Sequence, residues 1–268
     1  MSTLGDDEVR EAVRKKYGGI AVSSPGACGC QPGSCCDETA LGELDAASLV
    51  VGYSMQELST VPEGASMGLG CGNPTAIASL EVGETVLDLG SGGGFDCFLA
   101  ARAVGESGHV IGVDATPEMV SRSRRLAAEN GFDNVEFRLG EIENLPVADG
   151  CVDVIISNCV INLSPQKRRV FEEAFRVLRP GGRVAVSDVV ATVELPLEVK
   201  ADLRLYTGCI AGASLVDDLG LMLREAGFVH VRIEPQDESK DFIREWAPGM
   251  GVEDFVVSAT IEAKKPTR

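Results

Sequence analysis

The chain has 268 residues, of which 44% are hydrophobic, enough for a sizeable buried core and too many for wholesale disorder. Aromatics are sparse at 5% against 31 glycines, which suits a glycine-punctuated α/β protein better than an aromatic-rich sandwich. With 24 Lys+Arg against 41 Asp+Glu the net charge is −17, which repels phosphate backbones and anionic membrane surfaces and excludes nucleic acid and membranes as partners.

Residues 6–17 carry acids first and bases last, the polarity a helix dipole favours, and Gly18-Gly19 is expected to end that helix. Residues 23–36 (SSPGACGCQPGSCC) have loop composition, with Cys28, Cys30, Cys35 and Cys36 close together. Residues 41–76 are irregular and suggest loops and short helices. Two uncharged stretches, 17–36 and 64–80, approach membrane-spanning length, but Gly, Pro, Ser and Asn break both. The acidic start lacks the apolar core of a secretory signal, so the expectation is a soluble, cytoplasmic protein. In a reducing compartment clustered thiols point to metal binding or redox chemistry rather than structural disulfides.

Regular alternation starts at Thr85. Short apolar runs at 85–89, 108–114, 135–139, 151–157 and 183–188 read as strands, with helical stretches at 96–104, 116–130 and 167–178. Pro180-Gly181-Gly182 marks a turn before the fifth strand. A further helix at 216–226 precedes two terminal strands, 230–234 and 254–263, joined by a charged loop that holds the only tryptophan, Trp246. This β-α-β series implies an α/β, Rossmann-like fold around a parallel sheet covered on both faces. His109 and His230 lie apart, each beside a strand, and read as strand-edge residues; one histidine alone makes neither a metal cage nor a triad.

The turn after the first strand, VLDLGSGGG, places glycines at 90, 92 and 94, where a backbone can approach a ligand closely. Twenty residues beyond Gly94 stands Asp114, placed to accept hydrogen bonds from both ribose hydroxyls. Asp88 precedes the first glycine. A carboxylate there disfavours a pyrophosphate and favours a ligand bearing an ammonium and a sulfonium, which selects S-adenosylmethionine over a dinucleotide. GEIENLP, from Gly140, borders an adenine in this reading, and LRPGGR turns into the fifth strand. These elements resemble the class I methyltransferases. The resemblance implies a mainly parallel seven-stranded sheet with an antiparallel last strand, and a cofactor site of Asp88, Gly90, Ser91, Gly92, Gly94, Asp114, Ala115, Met119, Gly140, Glu141, Ile142 and Asn158. Three parts follow: an N-terminal cysteine-bearing extension (1–70), the cofactor-binding core (71–190), and a substrate-covering segment with the terminal strand pair (191–268).

Three cysteines fall where an acceptor would lie. Cys159 (SNCVINL) follows the fourth strand, Cys209 (YTGCIAG) the fifth, and Cys71 (GLGCGNP) directly precedes the core. Ligands of open α/β sheets bind beyond the carboxyl ends of the strands, so all three thiols can reach one pocket. Cys97 and Cys151 read as small buried hydrophobes. GLGCGNP, VLDLGSGGGFDCFLAA, SNCVINL and YTGCIAGA together resemble the arsenite S-adenosylmethionine methyltransferases over nearly the full chain. That resemblance implies Cys71, Cys159 and Cys209 as arsenic ligands and as the catalytic residues. It also implies an upstream cysteine in a disulfide relay, for which Cys28, Cys30, Cys35 and Cys36 all compete, with thioredoxin or glutathione as reductant. Arsenite or its thiol conjugates would be the substrate. The chemistry agrees: trivalent arsenic is soft and prefers thiolates, and its lone pair needs no general base. Two alternatives remain at this point: a small-molecule carbon or oxygen methyltransferase with incidental cysteines, and a thiol-based metalloid or zinc binder. Against zinc, the 28–36 cluster departs from paired C-x₂-C spacing.

Overall fold

The computed structural model describes residues 5–22 and 46–267. Seven strands form one sheet in the order β3-β2-β1-β4-β5-β7-β6. They are β1 (Thr85–Leu89), β2 (His109–Asp114), β3 (Val135–Leu139), β4 (Val152–Asn158), β5 (Leu178–Ala191), β6 (Val229–Gln236) and β7 (Val256–Lys264). Neighbours are parallel from β3 through β5, and β7 runs antiparallel to both β5 and β6. The expected fold class and the antiparallel last strand are both present.

The helices are α1 (Asp6–Val22), α2 (described over 46–50), α3 (Met55–Thr60), α4 (Pro74–Ala78), α5 (Phe95–Val104), α6 (Pro117–Glu129), α7 (Lys167–Val177), α8 (Leu197–Lys200), α9 (Leu203–Thr207), α10 (Val216–Glu225) and α11 (Lys240–Trp246). Strand alternation sorts the core into two layers. Val86, Val154 and Ile156 pack with Phe98 of α5 and Val120 of α6 on one face. Leu87, Leu89 and Ile155 meet Val170 and Phe171 of α7 and Leu223 of α10 on the other. Because both faces are covered, the central strands need continuous apolar runs rather than alternation with polar residues. A third apolar cluster joins Val9 of α1, Val189, Leu205, Tyr206 and Ile243 with Cys71, Cys159 and Cys209.

Three sequence expectations need correction. First, Gly18-Gly19 does not end α1, which continues to Val22. Arg122 donates to the Ala21 carbonyl at 3.2 Å, satisfying an acceptor of the last turn. Second, β5 begins at Leu178, not at 183. Its register against β4 jumps from Val152↔Leu178 to Val154↔Arg183, so the Pro-Gly-Gly turn is an excursion within the strand. Third, Trp246 ends a helix, α11, rather than lying in a loop; Ile243 is fully buried and anchors that helix.

Candidate active site

A cleft opens over the carboxyl ends of β1, β2 and β4. Its walls include Asp88, Gly90, Ser91, Gly92, Asp114, Ala115, Met119, Glu141, Ile142 and Asn158, ten of the residues expected from sequence. Asp114 ends β2 with both carboxylate oxygens occupied: one accepts from the Gly92 amide at 2.9 Å, the other from the Thr116 amide at 2.8 Å. Burial raises its pKa from the usual carboxylate value, and those two amide bonds counter the rise. Gly90 (φ +69°) is a glycine for an internal reason, since a Cβ there would lie 2.3 Å from Val160 Cγ2. A Cβ at Gly92 (φ +51°) would meet nothing within 4 Å, so this glycine borders open space in the cleft.

Two expected residues are off the wall. Gly94 caps α5 and faces Phe137 and Phe98, while a Cβ at Gly140 would strike Pro146. At both positions packing within the protein already requires a glycine. The charge argument built on Asp88 also shifts. Asp88 is buried, accepts a hydrogen bond from the Cys97 thiol at 3.2 Å, and is pushed well up by burial and by neighbouring Asp96. Asp96 itself rises to about 6, through burial that outweighs hydrogen bonds from Tyr53 and Asn158. Burial and mutual proximity thus both favour the protonated form of these two carboxyls over their ordinary state.

The sequence reading missed Tyr53 and Asp96. The Tyr53 hydroxyl donates to Asp96 Oδ1 at 2.6 Å. The Asn158 amide donates to Tyr53 Oη at 2.9 Å and to the Gly72 carbonyl at 2.8 Å, while its Oδ1 accepts from the Cys71 amide at 3.0 Å. Asn158 thus ties the cleft to the backbone of the first cysteine. Asp96 was visible as the acid following the glycine turn. Tyr53 lies in an irregular stretch whose spacing to the core carries no signal.

All three expected acceptor-side cysteines converge, but in an oxidised arrangement. Cys71 and Cys159 form a disulfide, with S–S 2.06 Å and Cα–Cα 5.9 Å. Cys209 is free and buried, and its thiol donates to the Cys159 carbonyl at 2.8 Å. Burial and the nearby Asp188 push the Cys209 thiol well up. Cys159 (φ +55°) and Cys209 (φ +65°) both occupy the left-handed region, uncommon for residues with a side chain and characteristic of functional turns. The Cys71 and Cys159 sulfurs and an Asp188 carboxylate oxygen lie within 4.8 Å of one another. Asp188 accepts from the Ile161 and Val189 amides and from Asn162 at 2.8–2.9 Å, and burial raises its pKa to about 6. Lys167, buried with its ammonium on the Gly212 carbonyl at 2.6 Å, is lowered by burial to about 8, with Asp188 opposing that shift. Cys97 is a buried thiol, as expected, and Cys151 is half-buried. Cys28, Cys30, Cys35 and Cys36 lie outside the described residues.

Both histidines stand apart from the cleft: His109 pairs with Glu136 at 3.1 Å and His230 is exposed on β6. Among the described residues no helix is long and apolar enough to cross a membrane.

A methyltransferase-domain family model matches residues 80–227. The chain is 56% identical to an arsenite methyltransferase of Halobacterium salinarum, over 98% of this chain and 68% of that protein. It is 40% identical to an arsenite methyltransferase of Aquipseudomonas alcaligenes, over 84% and 63% of the two lengths. It therefore spans about two thirds of these relatives. A solved arsenic(III) S-adenosylmethionine methyltransferase from Chlamydomonas reinhardtii superposes with TM-score 0.60 at 33% identity, covering 83% of this chain and 73% of that one. A geranyl diphosphate C-methyltransferase of Streptomyces coelicolor, at 15% identity and TM-score 0.67 over 96% and 98% of the two chains, shares the fold. Sheet order, glycine turn and these matches define a class I S-adenosylmethionine-dependent methyltransferase. Within that class, the chain belongs to the arsenite methyltransferase family.

Proposed function

We propose that this enzyme, an S-adenosylmethionine-dependent arsenite methyltransferase by family, methylates trivalent arsenic held on the thiolates of Cys71, Cys159 and Cys209. The observation that carries this reading is the gathering of those three cysteines, from three distant segments, in one buried cluster that reaches the cofactor cleft at Cys159.

The residues of the cleft fit S-adenosylmethionine. Asp114 on the cleft wall is the carboxylate available to ribose hydroxyls, a Cβ at Gly92 would meet only open space, and Ser91 Oγ is buried in the wall without a hydrogen-bond partner. When bound, S-adenosylmethionine supplies an electrophilic methyl group to the arsenic lone pair. The chain's own work is then positional: Asp114 and the glycine turn hold one side, the thiolates the other. Alignment of this kind contributes up to about 7–11 kcal/mol in favourable cases. No histidine is required, because the acceptor atom carries no proton.

The Cys71–Cys159 disulfide fits the other half of the cycle. Methylation leaves arsenic formally pentavalent. If two arsenic–sulfur bonds then break and one sulfur–sulfur bond forms, one electron pair returns to arsenic, which is again trivalent. The disulfide must next take up two electrons and two protons, which thioredoxin or glutathione would supply. The cysteines at 28–36 are candidates to pass those electrons inward, by the family resemblance. Arsenic is favoured over a carbon or oxygen acceptor because three cysteines share one buried cluster, a soft donor set that suits a thiophilic atom.

The test is to incubate the protein with arsenite, S-adenosylmethionine and a thiol reductant, and to speciate the arsenic. Methylated arsenic that requires all three components is expected; arsenite recovered unchanged would overturn the reading.

A further inference from the structure

Helix α1 has a place in the site that methyl transfer itself does not explain. Arg10, Val13, Arg14 and Tyr17 line the cofactor cleft from this helix. Arg14 pairs with Glu141, and Arg10 lies 3.6 Å from Glu143, both acids being on the cleft wall. One turn further along, α1 grips the cysteine-bearing turn instead. Lys16 Nζ and Tyr17 Oη both donate to the Thr207 carbonyl, at 3.0 and 3.2 Å. Thr207 ends α9, two residues before Cys209, which turns back with a positive φ. The Tyr17 side chain is itself part of the cleft wall, which it shares with Asp114. Tyr17 therefore touches both halves of the active site.

We propose that Tyr17 is a positioning residue that ties the Cys209 turn to the cofactor cleft, so that filling the cleft and capturing arsenic on Cys209 strengthen each other. The proposal rests on Cys209 being an arsenic ligand, as proposed above. A cofactor in the cleft packs against Tyr17 and fixes α1. Fixed α1 holds the Thr207 carbonyl, and through it the turn that presents the Cys209 sulfur. Arsenic bound to Cys209 fixes the same turn from the other side. Coupling between two binding sites is reciprocal, so each ligand raises the affinity of the other by one common factor.

The experiment measures arsenite binding to the reduced full-length protein by equilibrium dialysis, with and without saturating S-adenosylhomocysteine, which fills the cleft without turnover. In the wild type the cofactor product is expected to tighten arsenite binding about five- to tenfold, the range associated with one well-placed hydrogen bond. In Tyr17→Phe, which keeps the ring and loses the hydroxyl, that factor is expected to fall below about twofold while binding of each ligand alone persists. The reciprocal measurement, S-adenosylhomocysteine affinity with and without arsenite, has to return the same factors. Lys16→Met, which removes the second bond to Thr207, is expected to give an intermediate factor and serves where Tyr17→Phe loses its fold. No coupling in the wild type, or undiminished coupling in these variants, overturns the proposal. Failure of the underlying reading looks different: Cys209→Ser would then bind arsenite as tightly as the wild type.

Discussion

Around the cofactor cleft the polar groups are carboxylates and amides from a short stretch of chain, mainly the ends of β1 and β2 and the start of α5. Around the thiols they are sulfurs separated by 88 and 50 residues in sequence. On the cofactor side the carboxylates are already engaged, with Asp114 accepting from two amides and Asp96 from Tyr53. On the thiol side the same chain is found oxidised, with one cysteine free. The contrast teaches that one side is built to recognise and the other to change state. It also makes the two sides separable by mutation.

The largest expected effect lies on the thiol side. Cys159→Ser and Cys209→Ser should each abolish methylation of arsenite while leaving S-adenosylmethionine affinity within a few-fold. A hydroxyl is harder and far less acidic than a thiol and makes a poor arsenic ligand. Parallel measurement of methylated arsenic and of cofactor binding checks both halves of the statement. Cys159→Ser working at the wild-type rate would return the incidental-cysteine methyltransferase to favour.

Next in size is a cofactor-side change that should spare arsenic. Asp114→Ala is expected to weaken S-adenosylmethionine binding by about 1.5–3 kcal/mol through loss of a charge-assisted contact. Part of that loss is indirect, since the Gly92 and Thr116 amides lose their acceptor with the carboxylate. Calorimetry reads the affinity, and arsenite binding in the same variant should stay near wild type. Unchanged cofactor affinity would remove Asp114 from the site.

How far each side is legible in the sequence follows from the same contrast. The strand, glycine turn and following acid are local, so their geometry is dictated by neighbours a few residues away, and ten of twelve expected cofactor residues line the cleft. Gly94 and Gly140 lie off the cleft wall, packed against Phe137, Phe98 and Pro146, because a glycine serves internal packing as readily as ligand approach and sequence alone does not distinguish the two. The thiol convergence was legible only through the rule that ligands gather at strand carboxyl ends. The disulfide between two of the three thiols was not, because reduced and oxidised pairs share one sequence. Tyr17 and Tyr53 were missed because they reach the site from segments with no regular spacing to the sheet.

A third, smaller effect concerns Asp96. Its pKa in the folded protein, about 6, lies above its ordinary value of 3.8, so the folded state holds the proton more tightly than the unfolded one. The stabilisation is complete below pH 3.8 and is lost as pH rises towards 6. Two units correspond to about 2–3 kcal/mol. In the absence of cofactor, Asp96→Asn, whose carbonyl still accepts from Tyr53, should flatten the fall in denaturant stability across that window. A wild-type slope that persists in the variant would assign the titration elsewhere.

The smallest effect expected of any active-site cysteine separates the thiol side within itself. Arsenite presents three valences, which the proposed site fills with Cys71, Cys159 and Cys209 together. Methylarsenite has one valence already filled by carbon, so two thiolates suffice. Cys159 sits past the end of β4, on the acceptor side of the sheet, so in the proposed site its sulfur is needed for either substrate. Cys71 comes from outside the sheet, on a turn held to the core by the Asn158 side chain and by Ser258, which donates to the Cys71 carbonyl at 2.7 Å. These bonds involve only its backbone, so Cys71→Ser keeps the turn and loses the sulfur alone. Methylation of arsenite by this variant should therefore collapse, whereas methylation of methylarsenite should fall only a few-fold in single-turnover assays. Multiple turnover should remain impaired with both substrates, because the disulfide that returns arsenic to the trivalent state has lost one partner. Equal loss on both substrates in single turnover would mean that Cys71 is needed for the transfer itself, and that the two-thiolate account of methylarsenite is wrong.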